Sequence, residues 1–208
     1  MLQYVLFDFD GTLADSKHAF IAAWNELAEQ RGYQKIEMGR LEELRKLSMQ
    51  ERSRQMDFPL HKLPLVIPQL YRLYRRHAKD VELFAGMPEL LGELKAHGCG
   101  VAVLSSNAPE NIRGLLQKHG VDIPLILTSS LVFGKDRLLK RFLKEHGLRA
   151  SEVLYVGDEQ RDIAACKKAG VQIAWVSWGY DAHEAVEASK PDYIAHEPAD
   201  LLQICRNL

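Results

Sequence analysis

The sequence has few cysteines, no long apolar run and no leader segment, and each of these absences excludes a class of protein. Three cysteines occur among 208 residues, too far apart for a paired metal site, and their odd number suits reduced thiols. No apolar run approaches the roughly 20 residues of a membrane-spanning helix. The first residues lack the basic start and apolar centre of a secretory signal. We therefore expect a cytoplasmic protein without a membrane partner.

Net charge is also nearly absent, because 27 basic residues balance 28 acidic ones to a formal charge of -1. Such a balance gives no overall field that attracts nucleic acid or an anionic membrane. Arg72, Arg75, Arg76 and Lys79 are basic, but they fall opposite an apolar stripe at helical spacing, which favours a solvated helix face over a nucleic-acid patch. We predict no nucleic-acid partner, and the sequence leaves the oligomeric state open.

From Gly86 onward, helical and extended patterns alternate. The predicted helices cover residues 87–97, 109–119, 135–146 and 162–169, and a glycine follows each of them. The predicted strands cover residues 101–104, 125–127, 153–156 and 173–176, and a short strand near 193–194 precedes a helix from 198. Because these strands are continuously apolar and their connections are short, the pattern predicts a Rossmann-like parallel sheet with helices on both faces, an α/β fold.

Between Asp15 and Lys79 the sequence shows helical patterns and no strand pattern. The first predicted helix begins with Ser16 or Asp15 as its cap and ends at Gly32, a second and irregular stretch covers residues 40–56, and a third covers 65–79. We therefore predict an α/β core domain of residues 1–14 and 84–208, interrupted by an all-helical cap domain of residues 15–83.

The first strand, Tyr4 to Phe7, leads directly into Asp8 and Asp10. Ionised carboxylates at the end of a buried strand need a cation or strong donors, since burial and mutual repulsion raise their pKa values. The alternative is a simple turn, which explains Gly11 but gives no use for Asp8. We favour a metal site or a site of chemistry.

Polar residues follow the other strands as well, and the carboxyl ends of parallel strands meet at one edge of the sheet. The converging residues are Asp8, Asp10, Ser105, Ser106, Asn107, Gly134, Lys135, Asp158, Glu159 and Asp162. This set can supply carboxylates that hold Mg²⁺. It can also supply hydroxyl and ammonium donors that hold a phosphate beside the ion.

These residues resemble the four motifs of the haloacid dehalogenase-like hydrolase superfamily, in the same order and on the same elements. The motifs are the run from Asp8 to Leu13, Ser105 at a strand end, Lys135 at a helix start, and Gly157-Asp158 followed by Asp162. The resemblance covers essentially the whole chain, including a helical cap after the first motif, and four ordered motifs are far more specific than one.

The resemblance implies roles for the acidic residues. Asp8 would attack phosphorus and form an aspartyl-phosphate, while Asp10 would protonate the leaving oxygen and later accept a proton from water. The Asp8 carboxylate, the Asp10 backbone carbonyl and Asp158 would hold Mg²⁺, and Asp162 would orient its water ligands or pair with Lys135. Dehalogenases of this superfamily lack an acid at the Asp10 position, so this chain is expected to act on phosphate esters.

The resemblance also implies a phosphate site, in which Ser105 and Lys135 bind the transferring phosphoryl group. Further substrate-binding residues of the core are Phe9, Gly11, Ser106 and Asn107. Glu159 replaces the small hydroxyl residue often found after the aspartate of the fourth motif. Glu159 is either a solvated loop residue or a residue that alters the surroundings of the metal, and we favour the solvated interpretation.

The stretch from Leu44 to Met49 resembles the cap specificity loop of phosphoglycolate phosphatases and β-phosphoglucomutases. Arg45 or Lys46 pairs with a substrate carboxylate or second phosphate in one interpretation and is solvated in the other. Met49 stands where the mutase loop usually carries arginine, which disfavours mutase activity. Residues 176–180 and 190–194 resemble the C-terminal part of phosphoglycolate phosphatases.

The sequence therefore predicts a magnesium-dependent phosphatase acting on a small phosphorylated metabolite such as phosphoglycolate. A β-phosphoglucomutase-like enzyme or sugar-phosphate phosphatase is the alternative of the same class. A non-catalytic module that binds a phosphorylated metabolite is the alternative of another class.

Overall fold

The computed structural model describes residues 1–129 and 134–208. The first part of the chain contains β1 (Tyr4–Phe7), β2 (Ala14–Asp15), α1 (Lys17–Arg31), α2 (Leu41–Arg45), α3 (Met49–Gln55), α4 (Leu63–His77) and β3 (Glu82–Leu83). The rest contains α5 (Met87–Ala96), β4 (Gly100–Ser105), α6 (Pro109–Lys118), β5 (Leu125–Thr128), α7 (Lys135–His146), β6 (Val153–Gly157), α8 (Gln160–Ala169), β7 (Gln172–Val176), α9 (His183–Val186), β8 (Tyr193–Ala195) and α10 (Pro198–Arg206).

Within the described residues, the main sheet has six strands in the order β5-β4-β1-β6-β7-β8. All of its strand pairs are parallel. Val5 and Phe7 of β1 join one buried apolar cluster, whereas Leu6 joins a second cluster on the opposite face. Successive strand residues point to opposite faces, so a continuously apolar strand requires helices on both. The predicted α/β fold is confirmed.

The helical insert, defined as residues 16–81 and fully described, contains helices and no strand. The two chain segments that connect the insert to the core run next to each other, because β2 and β3 pair in antiparallel fashion. Ala14 pairs with Leu83, and Asp15 pairs with Glu82. On α4, buried residues such as Leu70 and Tyr74 face inward. The predicted solvated face is confirmed, since the four basic residues of and after α4 are exposed: Arg72, Arg75, Arg76 and Lys79.

Two local predictions need correction. The Ser16 side chain does not cap α1; its hydroxyl lies 2.8 Å from the Tyr180 hydroxyl instead, because Ser16 is buried against the core. The irregular stretch at 40–56 is two helices separated at Ser48, which caps α3 by accepting a bond from Glu51 N. No described helix is long and apolar enough to cross a membrane.

Candidate active site

The candidate site lies at the carboxyl edge of the main sheet. Asp8 follows β1, Ser105 ends β4, Lys135 begins α7 and Asp158 follows β6, while Asp162 lies in the first turn of α8. All five side chains are buried. The parallel sheet therefore brings together the residues that the four motifs supply, as the strand order requires.

Lys135 bridges two of the carboxylates. Its Nζ donates to Asp8 Oδ2 at 2.5 Å and to Asp162 Oδ1 at 2.6 Å. Burial acts to lower the pKa of Lys135, but the charges of Asp162 and Asp8 outweigh burial and hold that pKa above its usual value. Lys135 is therefore a protonated cation fixed beside Asp8.

Asp8 is held by two donors. The backbone N–H of Phe9 donates to its Oδ1 at 2.7 Å, and Lys135 bonds its Oδ2. Burial raises the pKa of Asp8 from 3.8 to about 6, with the Lys135 charge opposing the rise. Asp8 is thus an ionised, oriented carboxylate at neutral pH, which suits a nucleophile.

Asp10 keeps one oxygen unpaired. Asn107 Nδ2 donates to its Oδ2 at 2.7 Å, whereas its buried Oδ1 has no hydrogen-bond partner among the described residues. Burial raises the pKa of Asp10, while the nearby polar side chains of Ser16, Asn107 and Tyr74 oppose the rise. A carboxyl group with a raised pKa and one free oxygen is able to exchange a proton with a ligand.

Asp158 is fixed by hydrogen bonds and by close contacts with two glycines. Its carboxylate accepts bonds from Thr12 Oγ1 at 2.9 Å and from Tyr180 N at 2.6 Å. A Cβ on Gly11 would lie 2.3 Å from Asp158 Oδ2, and one on Gly179 would lie 2.1 Å from Asp158 Cβ. Gly11 also has φ +78°, so both positions require glycine. Burial, together with the charges of neighbouring acids, raises the pKa of Asp158 well above its usual value.

Three carboxylates of the site lie close enough to share a cation. Oxygens of Asp8, Glu159 and Asp162 lie within 4.8 Å of one another. The magnesium set of the Asp8 carboxylate, the Asp10 backbone carbonyl and Asp158 stays a prediction, and the Asp158 carboxylate accepts bonds from Thr12 and Tyr180. The carboxylates gathered here, whose pKa values burial raises, fit a hard, oxygen-preferring cation such as Mg²⁺.

Residues 5–176 match the family of haloacid dehalogenase-like hydrolases. The chain is a haloacid dehalogenase-like hydrolase. The hydrolase is 30% identical over 209 residues to the phosphoglycolate phosphatase of Synechococcus elongatus, an alignment that covers 100% of this chain and 99% of the relative. It is 24% identical to the phosphoglycolate phosphatase of Vibrio parahaemolyticus, across 98% of this chain and 96% of that one.

Solved structures share the fold of the hydrolase. A predicted phosphatase from Clostridium acetobutylicum superposes with a TM-score of 0.81 at 19% identity over 100% of both chains. A predicted phosphoglycolate phosphatase from Haemophilus somnus superposes with a TM-score of 0.75 at 22% identity over 98% of both. At such identities the likeness shows the fold alone, and it agrees with the sheet order and helices described above.

The prediction that Glu159 is solvated is wrong. Its side chain in the hydrolase is only 12% exposed and pairs with Arg161. The backbone carbonyl of Glu159 accepts a bond from Asp162 N at 2.9 Å, and the Asp162 side chain accepts one from Glu159 N at 3.2 Å.

Arg45 and Lys46 have different surroundings. Arg45 is 14% exposed, donates to Glu42 at 2.8 Å and lines the cavity above Asp8. Its buried Nε has no hydrogen-bond partner in the described part of the chain. Lys46 is 54% exposed and lies 2.9 Å from Glu184, in agreement with the solvated interpretation. Arg45 is thus the one of the two whose position allows contact with a ligand in this cavity.

The remaining predicted residues support the site in different ways. Ser105 Oγ accepts a bond from Asn107 N at 3.2 Å, and Ser106 Oγ accepts one from the Tyr71 hydroxyl at 3.1 Å. Sequence reasoning missed several polar residues of the cavity wall: Arg52, Tyr71, Tyr74, Arg161 and Tyr180. Tyr71 and Tyr74 fall at the helical spacing of the apolar stripe on α4, and no motif signals that their hydroxyls face the site.

Proposed function

We propose that this hydrolase is a magnesium-dependent phosphatase that cleaves the phosphomonoester of a small metabolite through an aspartyl-phosphate intermediate. The observation that carries the proposal is Asp8, an ionised and buried carboxylate held by Lys135 and the Phe9 amide at the floor of a cavity. The full-length relative from Synechococcus elongatus, named a phosphoglycolate phosphatase, supports the reaction class.

In the proposed reaction, an Asp8 oxygen attacks phosphorus as the bond from phosphorus to the ester oxygen breaks. Asp10 donates a proton to the departing oxygen, which leaves as an alcohol. Water then attacks the aspartyl-phosphate, Asp10 accepts its proton, and phosphate is released with Asp8 regenerated. The raised pKa of Asp10 supports the first of these proton transfers, because an acid must be protonated before it donates.

The transferring phosphoryl group would be bound by Lys135, Ser105 and backbone amides near Gly11 and Ser106. Fixed donors of this kind stabilise the charge on the phosphoryl oxygens without reorganising during the reaction. Asn107 also orients Asp10. Because Asn107 bonds Asp10 Oδ2, the other oxygen, Oδ1, is the one that exchanges the proton.

The proposed magnesium ligands are the Asp8 carboxylate, the Asp10 backbone carbonyl and Asp158. Asp162 is placed behind them by its bond to Lys135 at 2.6 Å, and Glu159 offers a further carboxylate in the same group. When bound, the ion supplies positive charge that offsets the negative charge of the carboxylates and of the phosphoryl oxygens.

We propose further that residues 15–83 form a cap domain over a core of residues 1–14 and 84–208. Contacts between the two include Tyr71 with Ser106 at 3.1 Å and Lys17 with the Trp178 carbonyl at 2.9 Å. A cap that closes over the carboxyl edge excludes water from the aspartyl-phosphate and contributes residues that contact the leaving group.

Phosphate release from a panel of phosphomonoesters, with and without Mg²⁺, tests the proposal, and phosphoglycolate is the reference ester. We expect magnesium-dependent release that Asp8→Asn lowers by about 10³-fold or more, while exposed Asp80→Asn leaves it unchanged. Circular dichroism melting checks that both variants are folded.

An active Asp8→Asn enzyme contradicts the mechanism. Phosphate binding without release from any ester would favour a non-catalytic module, and faster turnover of sugar phosphates would favour the sugar-phosphate enzyme.

A further inference from the structure

A cavity of about 200 Å³ lies between the helical insert and the carboxyl edge of the main sheet. Asp8, Asp10 and Ser105 belong to its wall, so the cavity is continuous with the proposed phosphate site. The rest of the wall is largely apolar and comes mostly from the insert. Its half-buried apolar residues include Ile36, Leu41, Met49, Met56, Leu60 and Leu63. A ligand next to Asp8 therefore meets apolar surface on the insert side.

The arginines of this wall already have anionic partners in the protein. The pairs are Arg45 with Glu42, Arg52 with Asp181, and Arg161 with Glu159. At Arg52 or Arg161 a substrate carboxylate would compete with a protein carboxylate for the guanidinium and would lose its water as well. At Arg45 it would find one open donor, the buried Nε that lacks a partner among the described residues. An apolar group requires no exchange of ion pairs and gains from leaving water.

We infer that the cavity binds the apolar body of the alcohol in a phosphate monoester, an inference that rests on the phosphatase activity proposed above. The phosphoryl group lies at Asp8 and Lys135, and the alkyl or aromatic body lies against Met49, Met56 and Leu60. Phosphoglycolate carries a carboxylate in place of that body. The cavity therefore selects apolar esters over phosphoglycolate.

The size of the cavity sets the size of the group. An apolar cavity of about 150 Å³ holds one benzene ring. Because the phosphoryl group takes part of the cavity of about 200 Å³, the apolar body is limited to at most a single aromatic ring or a short alkyl chain. Each methylene group that leaves water for such a wall improves binding about fourfold. The preference is thus large enough to measure with a short series of esters.

The test compares alkyl phosphates from ethyl to pentyl, benzyl phosphate and phosphoglycolate with the magnesium-loaded enzyme. The alkyl series enlarges the apolar group while the acidity of the leaving alcohol stays nearly constant. We expect kcat/KM to rise about fourfold per methylene group and benzyl phosphate to exceed phosphoglycolate. A flat alkyl series with phosphoglycolate ahead overturns the inference and leaves the phosphatase standing.

A matched pair of variants locates the preference in the wall. Met49→Lys places a cation in the cavity, and we expect it to lower the ratio of kcat/KM for benzyl phosphate to that for phosphoglycolate by about tenfold or more. Met38→Lys makes the same change at a residue of the insert that is 48% exposed, and the ratio should not move. The ratio is independent of the fraction of folded enzyme. An equal ratio in both variants and the native enzyme contradicts the inference.

Binding without turnover separates the inference from the proposed function. Calorimetry with Asp8→Asn compares benzyl phosphate with phosphoglycolate, and tighter binding of benzyl phosphate supports the apolar cavity. Absence of release from every ester overturns the phosphatase proposal but leaves this comparison informative. Equal or weaker binding of benzyl phosphate overturns the cavity's preference.

Discussion

At the scale of single residues, the site concentrates buried carboxylates around Lys135. Asp8 and Asp162 both contact its ammonium group, whereas Asp158 is held by neutral donors. Burial is the largest cause of the raised pKa values of Asp8 and Asp158, so their charges cost the folded state free energy. A bound cation would offset that cost, which makes metal affinity and stability depend on pH.

The pKa of Asp8 sets the sign of that dependence. Because this pKa is raised from 3.8 to about 6, the ion-free folded protein is favoured by this group as pH falls through 6 and loses that contribution above it. Mg²⁺ needs the ionised carboxylate. We expect Mg²⁺ to raise Tm clearly at about pH 8 and much less at about pH 5. Asp8→Asn should largely lose this difference, and equal Mg²⁺ affinity at both pH values would contradict the assignment.

The close packing of Asp158 requires glycine at position 179. A Cβ there would lie 2.1 Å from Asp158 Cβ, an atom close to the backbone that cannot move freely. We expect Gly179→Ala to lower the free energy of unfolding by about 1–3 kcal/mol in urea titration. Gly92→Ala is the matched control, because nothing lies within 4 Å of its added Cβ in α5, and it should stabilise by about 0.5–1 kcal/mol. Two equal effects would refute this packing argument.

At the scale of elements, strands and helix ends were predictable because each has a local cause. The apolar run of β1 and the glycine after α7 act through burial and backbone conformation within a few residues. Because the end of β1 and the start of α7 both lie at the carboxyl edge of the sheet, the sequence also predicted that Asp8 and Lys135 lie close together. The prediction for Glu159 is wrong because its exposure depends on pairing with the Arg161 side chain, and no motif specifies that pairing.

Residues that reach the site from the insert could not be predicted in the same way. Tyr74 lies on α4, far from Asp10 in sequence, and its pattern was indistinguishable from that of an ordinary buried residue. Arg52 pairs with Asp181, a partner 129 residues away that no local pattern specifies. Which residues meet across the insert and the core depends on how the helices dock, and periodicity carries no information about docking.

Helix α3 offers a test of local stabilisation. Ser48 accepts a bond from Glu51 N, and Glu51 Oε2 accepts one from Ser48 N at 2.8 Å, which together form a capping box. We expect Ser48→Ala to lower the free energy of unfolding by about 1 kcal/mol. Ser151→Ala, at an exposed serine, should change it by less than about 0.5 kcal/mol. Denaturant titration of both variants measures the difference, and an equal loss would show that the box contributes nothing.

At the scale of the whole molecule, the insert is joined to the core by polar links on one side of the cavity. Ala182 N donates to the Arg45 carbonyl at 2.9 Å, and Arg52 donates to the Asp181 carboxylate. Asp181 also accepts a bond from Gln160 N at the start of α8 at 2.7 Å. The Arg52–Asp181 pair therefore connects the insert to the helix that carries Asp162.

Burial decides how much this link contributes to stability. The side chains of Arg52 and Asp181 are 20% and 6% exposed, so removing the arginine leaves a carboxylate with little access to water. Burial already raises the pKa of Asp181 against the opposing charge of Arg52. We expect Arg52→Met to lower the free energy of unfolding by about 2 kcal/mol, since partial exposure reduces the loss found for fully buried pairs. The loss should be smaller at lower pH, where the unpaired Asp181 becomes protonated.

A double-mutant cycle isolates the interaction between the two side chains. Arg52→Met and Asp181→Asn together should cost less than the sum of the single changes, with a coupling of about 1–2 kcal/mol in denaturant titration. Lys46→Met with Glu184→Gln is the matched cycle, because that pair also joins the insert to the core but both side chains are 54% exposed. Its coupling should stay below about 0.5 kcal/mol. Equal coupling in the two cycles would show that burial does not strengthen the link, and the insert would then be held to the core by apolar packing rather than by this ion pair.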